Sequence, residues 1–197
     1  MPRIKRPSEV KEYQELVRKR LSKIFGEENV KKEWDVAKDS QDAYTRRLYC
    51  PKLDIAVGPF NIDGTVDENN VRIEEAVVRN KDFIDNLFQL SESSLEYVDS
   101  FLRQKNKNPR CLLAIEIEKS GSRKHMVGNI VNTSILGAFG IIIPFDDKAL
   151  SAYRKIDAYL DFAAKVGKTR EIFKNVLIIN KENFLKAIFN STPTLSR

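Results

Sequence analysis

The chain is expected to fold as an α/β protein, a mixed β-sheet flanked by helices, and three observations carry that expectation. Cys111 to Lys119 (CLLAIEIEK) alternates with a period of two, the pattern of a strand with one apolar face. Phe139 to Pro144 (FGIIIP) is an unbroken apolar run of the kind found in strands covered on both faces. Amphipathic helical stripes surround these two segments, and Cys111 to Pro144 has the length of a β-α-β crossover between parallel strands.

Taken in order, residues 8 to 25 predict a helix that Ser8 opens after Pro7, with Val10, Val17, Leu21 and Ile24 near one face and Gly26 as its stop. Its other face is rich in Lys and Arg, and is either solvated or in contact with phosphates. Val30 to Ala37 alternates as a strand, with Trp34 expected in the core, and Lys38 to Arg47 reads as a polar loop. Leu48 to Phe60 (LYCPKLDIAVGPF) is the second strand: Leu53, Ile55 and Val57 form one face, Asp54 and Ala56 the other, and Pro51 is tolerated near its start. Aspartate is disfavoured within a strand unless something there uses it.

Asn61 to Thr65, with its Asp63-Gly64 pair, is a turn. Residues 67 to 89 carry one helical stripe through Ile73, Ala76, Val77, Asn80, Phe83, Ile84, Leu87 and Phe88, and residues 91 to 105 a shorter one through Leu95, Val98, Phe101 and Leu102. After the central strand, the basic loop SGSRK (residues 120 to 124) leads into a helix from about Lys124 to Leu136. His125, Asn129 and Asn132 make one side of it polar; Met126, Val127, Ile130, Val131 and Ile135 supply apolar contacts, and Gly137 ends it. Asp146 or Asp147 caps a helix with Leu150, Tyr153, Ile156 and Leu160 on its apolar side, running toward Gly167. Val176 to Ile179 is a further buried strand, residues 181 to 190 form the last helix, and the tail from Ser191 is expected to fray.

These elements predict a single domain over residues 1 to 190, with a helical insertion at about 66 to 106 and a flexible tail at 191 to 197. No apolar run approaches the roughly 20 residues of a membrane span, and MPRIKRPSEV lacks the apolar core of a signal peptide, so a cytoplasmic protein without membrane contact is expected. In that compartment Cys50 and Cys111 are expected as reduced thiols, and two cysteines with a single histidine argue against structural zinc. Charge is segregated. Residues 1 to 25 hold eight basic side chains against three acidic ones, whereas residues 61 to 100 hold three basic against ten acidic. Basic ends suit a polyanion such as nucleic acid; the acidic helical pair suits packing on the body or on a second subunit.

Glu116 and Glu118 project from one face of the central strand, and Asp54 stands on a neighbouring strand. Clustered carboxylates repel and resist burial, and a divalent cation removes both penalties. Hard oxygen donors in small number suit Mg²⁺ or Mn²⁺.

The order αβββαβ, with Pro51 and Asp54 of PKLD on the second strand and Glu116, Ile117 and Glu118 (EIE) on the third, resembles the PD-(D/E)xK nuclease superfamily. The resemblance covers about residues 8 to 145. It implies a restriction-endonuclease-like mixed sheet flanked by helices, with a two-helix insertion between the second and third strands. It also implies that Asp54 and Glu116 bind Mg²⁺ (or Mn²⁺), and that Glu118, at the family's usual lysine position, either binds metal or orients the attacking water. The missing lysine is then replaced by Lys119 or Lys124, or is absent because activity has been lost. Lys119 is awkward, since alternation points it away from Glu118, so Lys124 completes the expected catalytic set of Asp54, Glu116, Glu118 and Lys124.

Arg46, Arg47, Arg123, Lys124, Asn129 and Asn132, with Tyr44, are the candidate nucleic-acid contacts; His125 is expected at the surface rather than as a base. The implied function is a metal-dependent DNA endonuclease of restriction or repair type, acting as a homodimer, possible partner contacts falling on the acidic helical insertion. The alternative is a catalytically inactive nuclease-like domain that binds nucleic acid or a protein partner. A small-molecule enzyme finds no Gly-rich phosphate loop or nucleophile elbow in this sequence.

Overall fold

Ser8 accepts a hydrogen bond from the Lys11 N–H at 3.4 Å, and Gly26, at φ 89°, closes the far end of helix α1, Glu9–Phe25. The computed structural model describes residues 8–39, 51–61, 65–92, 106–119, 121–168 and 174–191. After a short 3₁₀ turn, Glu27–Asn29, come strand β1, Val30–Asp35, the single helical turn α2, Val36–Asp39, and strand β2, Lys52–Val57. Helices α3, Val66–Arg79, and α4, Lys81–Leu90, precede the central strand β3, Cys111–Glu118. The order continues with α5, Arg123–Leu136; β4, Gly137–Pro144; α6, Asp147–Lys165; β5, Val176–Ile178; and α7, Lys181–Phe189.

Among the described residues the protein is α/β, with one five-stranded mixed sheet in the order β1-β2-β3-β4-β5 flanked by helices. Strand β2 runs antiparallel to both β1 and β3, while β3, β4 and β5 run parallel. The largest apolar cluster joins α1, α3, α4 and α7 to one side of the sheet through residues such as Leu21, Phe83, Phe184, Ile115 and Ile141. A smaller one packs α5 and α6 on the other through Met126, Ile130, Tyr153 and Ile142. All eight residues of β4 are buried, as its unbroken apolar run requires.

Four details depart from the sequence expectation. The stripe over residues 67 to 89 is two helices, because Asn80 at φ −114° and ψ 31° ends α3 and its side chain bonds the Ala76 carbonyl at 2.8 Å. Both helices still deliver their apolar side chains to one core, so the stripe reads through the break. On α5, Val127 and Ile135 are exposed at 37% and 59%, and the buried side includes Thr133 and Ser134 instead. Ser191, where the sequence expectation begins the tail, is buried, and its hydroxyl donates to the Ala187 carbonyl at 2.6 Å. Finally, α5 runs into β4 without a loop. The Asn106 and Asn175 amides both donate to the Gly137 carbonyl, at 2.9 and 3.1 Å, and a Cβ at Gly137 would collide with the Phe139 carbonyl oxygen.

Residues 93 to 105, which hold most of the second expected insertion helix, lie outside the described residues, as do Tyr44, Arg46, Arg47, Cys50 and residues 192 to 197. Cys111 is a free, buried thiol, and burial pushes its pKa up. Among the described residues no helix is long and apolar enough to cross a membrane.

Candidate active site

β2 and β3 form a regular antiparallel ladder only over Ile55↔Ile115, Ala56↔Ala114 and Val57↔Leu113. One residue beyond it, the Asp54 carboxylate takes over a backbone role: the Ile117 N–H donates to Asp54 Oδ2 at 2.8 Å. The alternation that singled out Asp54 and Glu116 thus places them across from each other at the point where the ladder stops. Gln14 of α1 fixes the aspartate from a second direction, its Nε2 donating to Asp54 O at 3.1 Å and to Oδ1 at 3.3 Å.

Glu116 and Asp54 are hydrogen-bonded to each other through their side chains. Burial, then the neighbouring Asp54 charge, pushes the Glu116 carboxyl up to about 9. Asp54 is also raised, by burial first, although the Ile117 N–H and the Glu116 hydrogen bond work to lower it. Both carboxyls of the pair are thus held above the ordinary carboxylate range, chiefly by burial.

Glu118 is half-buried at the end of β3. Asn129 Nδ2 donates to its Oε2 at 3.3 Å and to the Tyr153 hydroxyl at 3.2 Å, so the polar side of α5 ties Glu118 to α6. Tyr153 is fully buried, and burial raises its pKa, with Glu118, Glu116 and Asp54 adding to the shift, so its hydroxyl lies within the electrostatic reach of all three acids. Gly121 leaves Glu118 its room: a Cβ there would stand 2.8 Å from Oε2.

Lys119 pairs with Glu9 of α1 at 3.0 Å, and Arg123 and Lys124 are exposed on the first turn of α5. His125 is exposed, and Asn132 is half-buried on the same helix. Asn129 is a partner of Glu118 rather than a free surface amide.

Three members of this constellation were not singled out from the sequence. Gln14 falls within the helical spacing of Val10, Val17 and Leu21, and a glutamine only 4% exposed on such a stripe is a signal that was readable. Tyr153 was read as apolar core, which it is, but its hydroxyl is what matters here. Glu33 lies on β1, opposite neither expected site residue in the sequence reading. It has φ 50°, outside the usual range for a non-glycine residue, and its charge raises the pKa of both Asp54 and Glu116.

Among the described residues no group of three or more His, Cys, Asp or Glu side chains is arranged to hold a metal ion. The side chains that could hold a hard cation keeping most of its water are the two neighbouring carboxyls, Asp54 and Glu116, both raised in pKa by burial. A separate cavity of about 550 Å³, lined by Ser22, Phe25, Gly58, Arg72 and Asn80 among others, lies past the other end of β2 and holds none of these acids. No protein-family model, curated protein or solved structure matches the chain.

Proposed function

We propose that the protein is a Mg²⁺- or Mn²⁺-dependent DNA endonuclease with a restriction-endonuclease-like fold, related to the PD-(D/E)xK nucleases. The observation that carries this reading is the half-buried Asp54–Glu116 pair at the place where β2 and β3 part. Supporting it are the strand order, in which β2 alone runs opposite to its neighbours, the β3-α5-β4 crossover, and α3 and α4 inserted between β2 and β3.

Asp54 and Glu116 would hold the ion. When bound, it supplies Lewis-acid polarisation of a phosphodiester and lowers the pKa of a water. Gln14 and the Ile117 N–H keep the Asp54 carboxylate aimed, and Asn129 holds Glu118, which orients the attacking water. Arg123 and Lys124, exposed at the N-terminus of α5, meet backbone phosphates where helix N–H groups also favour negative charge. A homodimer places two such sites on the two strands of a duplex.

The test is cleavage of supercoiled plasmid in Mg²⁺ or Mn²⁺. The wild-type chain should nick or linearise it, and Asp54→Ala and Glu116→Ala should each lower the rate by about 100-fold or more. Cleavage indifferent to both substitutions sinks the assignment.

A second reading, a nuclease-like domain that binds without cutting, is favoured by the pairing of Lys119 with Glu9 of α1. Salt-sensitive DNA binding that persists in Asp54→Ala, with no turnover by the wild type in either metal, selects it.

A further inference from the structure

The cavity of about 550 Å³ past the far end of β2 has no part in the acidic site, and its size falls among ligand pockets, which span roughly 300 to 1,000 Å³. It lies between the last turn of α1, the Gly58-Pro59 exit from β2 and the last two turns of α3. Among the described residues three buried side-chain polar atoms have no hydrogen-bond partner: Ser22 Oγ, Asn69 Oδ1 and Asn80 Oδ1. Two of the three belong to residues that line this cavity. Unpaired buried polar atoms weaken a fold, so two of them at one cavity point to a ligand that supplies the missing partners.

Asn80 is only 7% exposed, and its orientation is fixed: Nδ2 donates to the Ala76 carbonyl at 2.8 Å, so Oδ1 is the end left over. The residue stands at the N-cap of α4, where an asparagine oxygen ordinarily accepts an N–H of the first turn, and makes no such bond. Its oxygen is therefore unspent and calls for an N–H donor; the Ser22 hydroxyl can give or accept. On α3, Arg72, Ala76 and Arg79 follow at i, i+4 and i+7 along one side, so a small alanine separates two guanidinium groups on the cavity wall. Arg72 commits one N–H to the Phe60 carbonyl at 3.3 Å, and Arg79 is exposed. Lys23 adds a third cation and Glu28 and Glu75 two carboxylates. Half-buried Phe25, edge-on to Phe83 at 5.5 Å, adds an aromatic surface.

We infer that this cavity binds a nucleoside monophosphate, with the phosphate on Arg72 and Arg79, the base against Phe25 and a base N–H meeting Asn80. Planar, forked guanidinium groups match phosphate oxygens, and aromatic rings hold bases by stacking. Three cations against two carboxylates leave a single net positive charge on the lining, so a bare anion meets opposition from Glu28 and Glu75. Ribose hydroxyls turn the same carboxylates into acceptors. Inorganic phosphate, besides, is far too small to fill the space. Because α1 and the β2 exit belong to the sheet layer and α3 to the inserted helices, the bound nucleotide bridges the two. The site is separate from Asp54 and Glu116, and the inference stands whether or not the protein cuts DNA.

The experiment is isothermal titration calorimetry of the full chain, in chelator, with AMP, GMP, CMP and UMP, their four nucleosides and inorganic phosphate, the melting temperature being followed alongside. At least one nucleotide should bind saturably at one site and raise the melting temperature, with its nucleoside and inorganic phosphate each weaker by about 10-fold or more. Arg72→Ala and Arg79→Ala should weaken that nucleotide by about 10-fold or more. Lys165→Ala, which removes an exposed charge from α6, should not. Ser22→Ala separates binding from folding: it removes an unpaired hydroxyl, so the free protein should melt at or above the wild-type temperature while the nucleotide binds more weakly. Asp54→Ala should bind the nucleotide as the wild type does. Failure of all four nucleotides to bind at millimolar concentration overturns the inference. So does inorganic phosphate binding as tightly as the nucleotides, or an affinity unchanged in Arg79→Ala. Affinity lost in Asp54→Ala also overturns it, because the nucleotide would then sit on the acids.

Discussion

Two neighbouring stretches of the β2–β3 pair behave in opposite ways. From Ile55 to Val57 the strands face Leu113 to Ile115 in a regular ladder, and every one of these side chains is 0% exposed. One step further, Asp54 and Glu116 are half-buried, hydrogen-bonded to each other and raised in pKa. The same two strands thus switch from apolar packing to confined acidity within a single residue. The ladder fixes where the acids stand, and beyond its end the Asp54 carboxylate caps the strand by accepting the Ile117 N–H.

That division makes unequal predictions for the two stretches. Leu113→Ala should cost about 2–5 kcal/mol in urea unfolding, because it removes packing on a site with no room to relax. Asp54→Ala should cost far less than that, since it relieves a crowded acid while also removing its bonds to Gln14 and Ile117. Equal losses in the two variants would break the comparison.

A smaller effect concerns pH in chelator-treated protein. Glu116 is raised from an ordinary 4.5 to about 9, so between these values the folded chain binds more protons than the unfolded one. Stability is then fully present below about 4.5 and is lost as pH rises toward 9. Melting temperature measured across this window should fall, and Glu116→Gln should flatten the decline; an unchanged slope in that variant would place the proton elsewhere.

The smallest expected effect distinguishes two residues on one helix. Asn129→Ala should cost about 1 kcal/mol, having lost its bonds to Glu118 and Tyr153. Val127→Ala, at an exposed position, should stay within about 0.5 kcal/mol. Chemical denaturation of both variants reads the difference.

Much of the sheet was legible because period-two alternation and unbroken apolar runs are direct consequences of burial on one face or on both. The helix-stripe reading failed at Asn80 for an equally physical reason: a break that leaves both halves facing one core does not disturb the spacing of their apolar residues. Val127 and Ile135 were misplaced because apolar character alone does not say which side of α5 lies down, and Thr133 and Ser134 take the buried side through hydrogen bonds. Asp54, Glu116 and Glu118 were readable as charges out of place on strands. Their partners were harder to see. Gln14, Glu33 and Tyr153 come from three other elements, and which of them meets the acids depends on the packing of α1, β1 and α6 around the splayed strands.

The wide spacing of these residues along the chain has a consequence for synthesis. Gln14, Glu33, Asp54, Glu116, Asn129 and Tyr153 are brought together from α1, β1, β2, β3, α5 and α6. A ribosome must therefore have released the polypeptide past Tyr153 before the constellation can close. Until then the nascent chain carries each acid separately, and no proteolytic fragment ending before β3 inherits the pair.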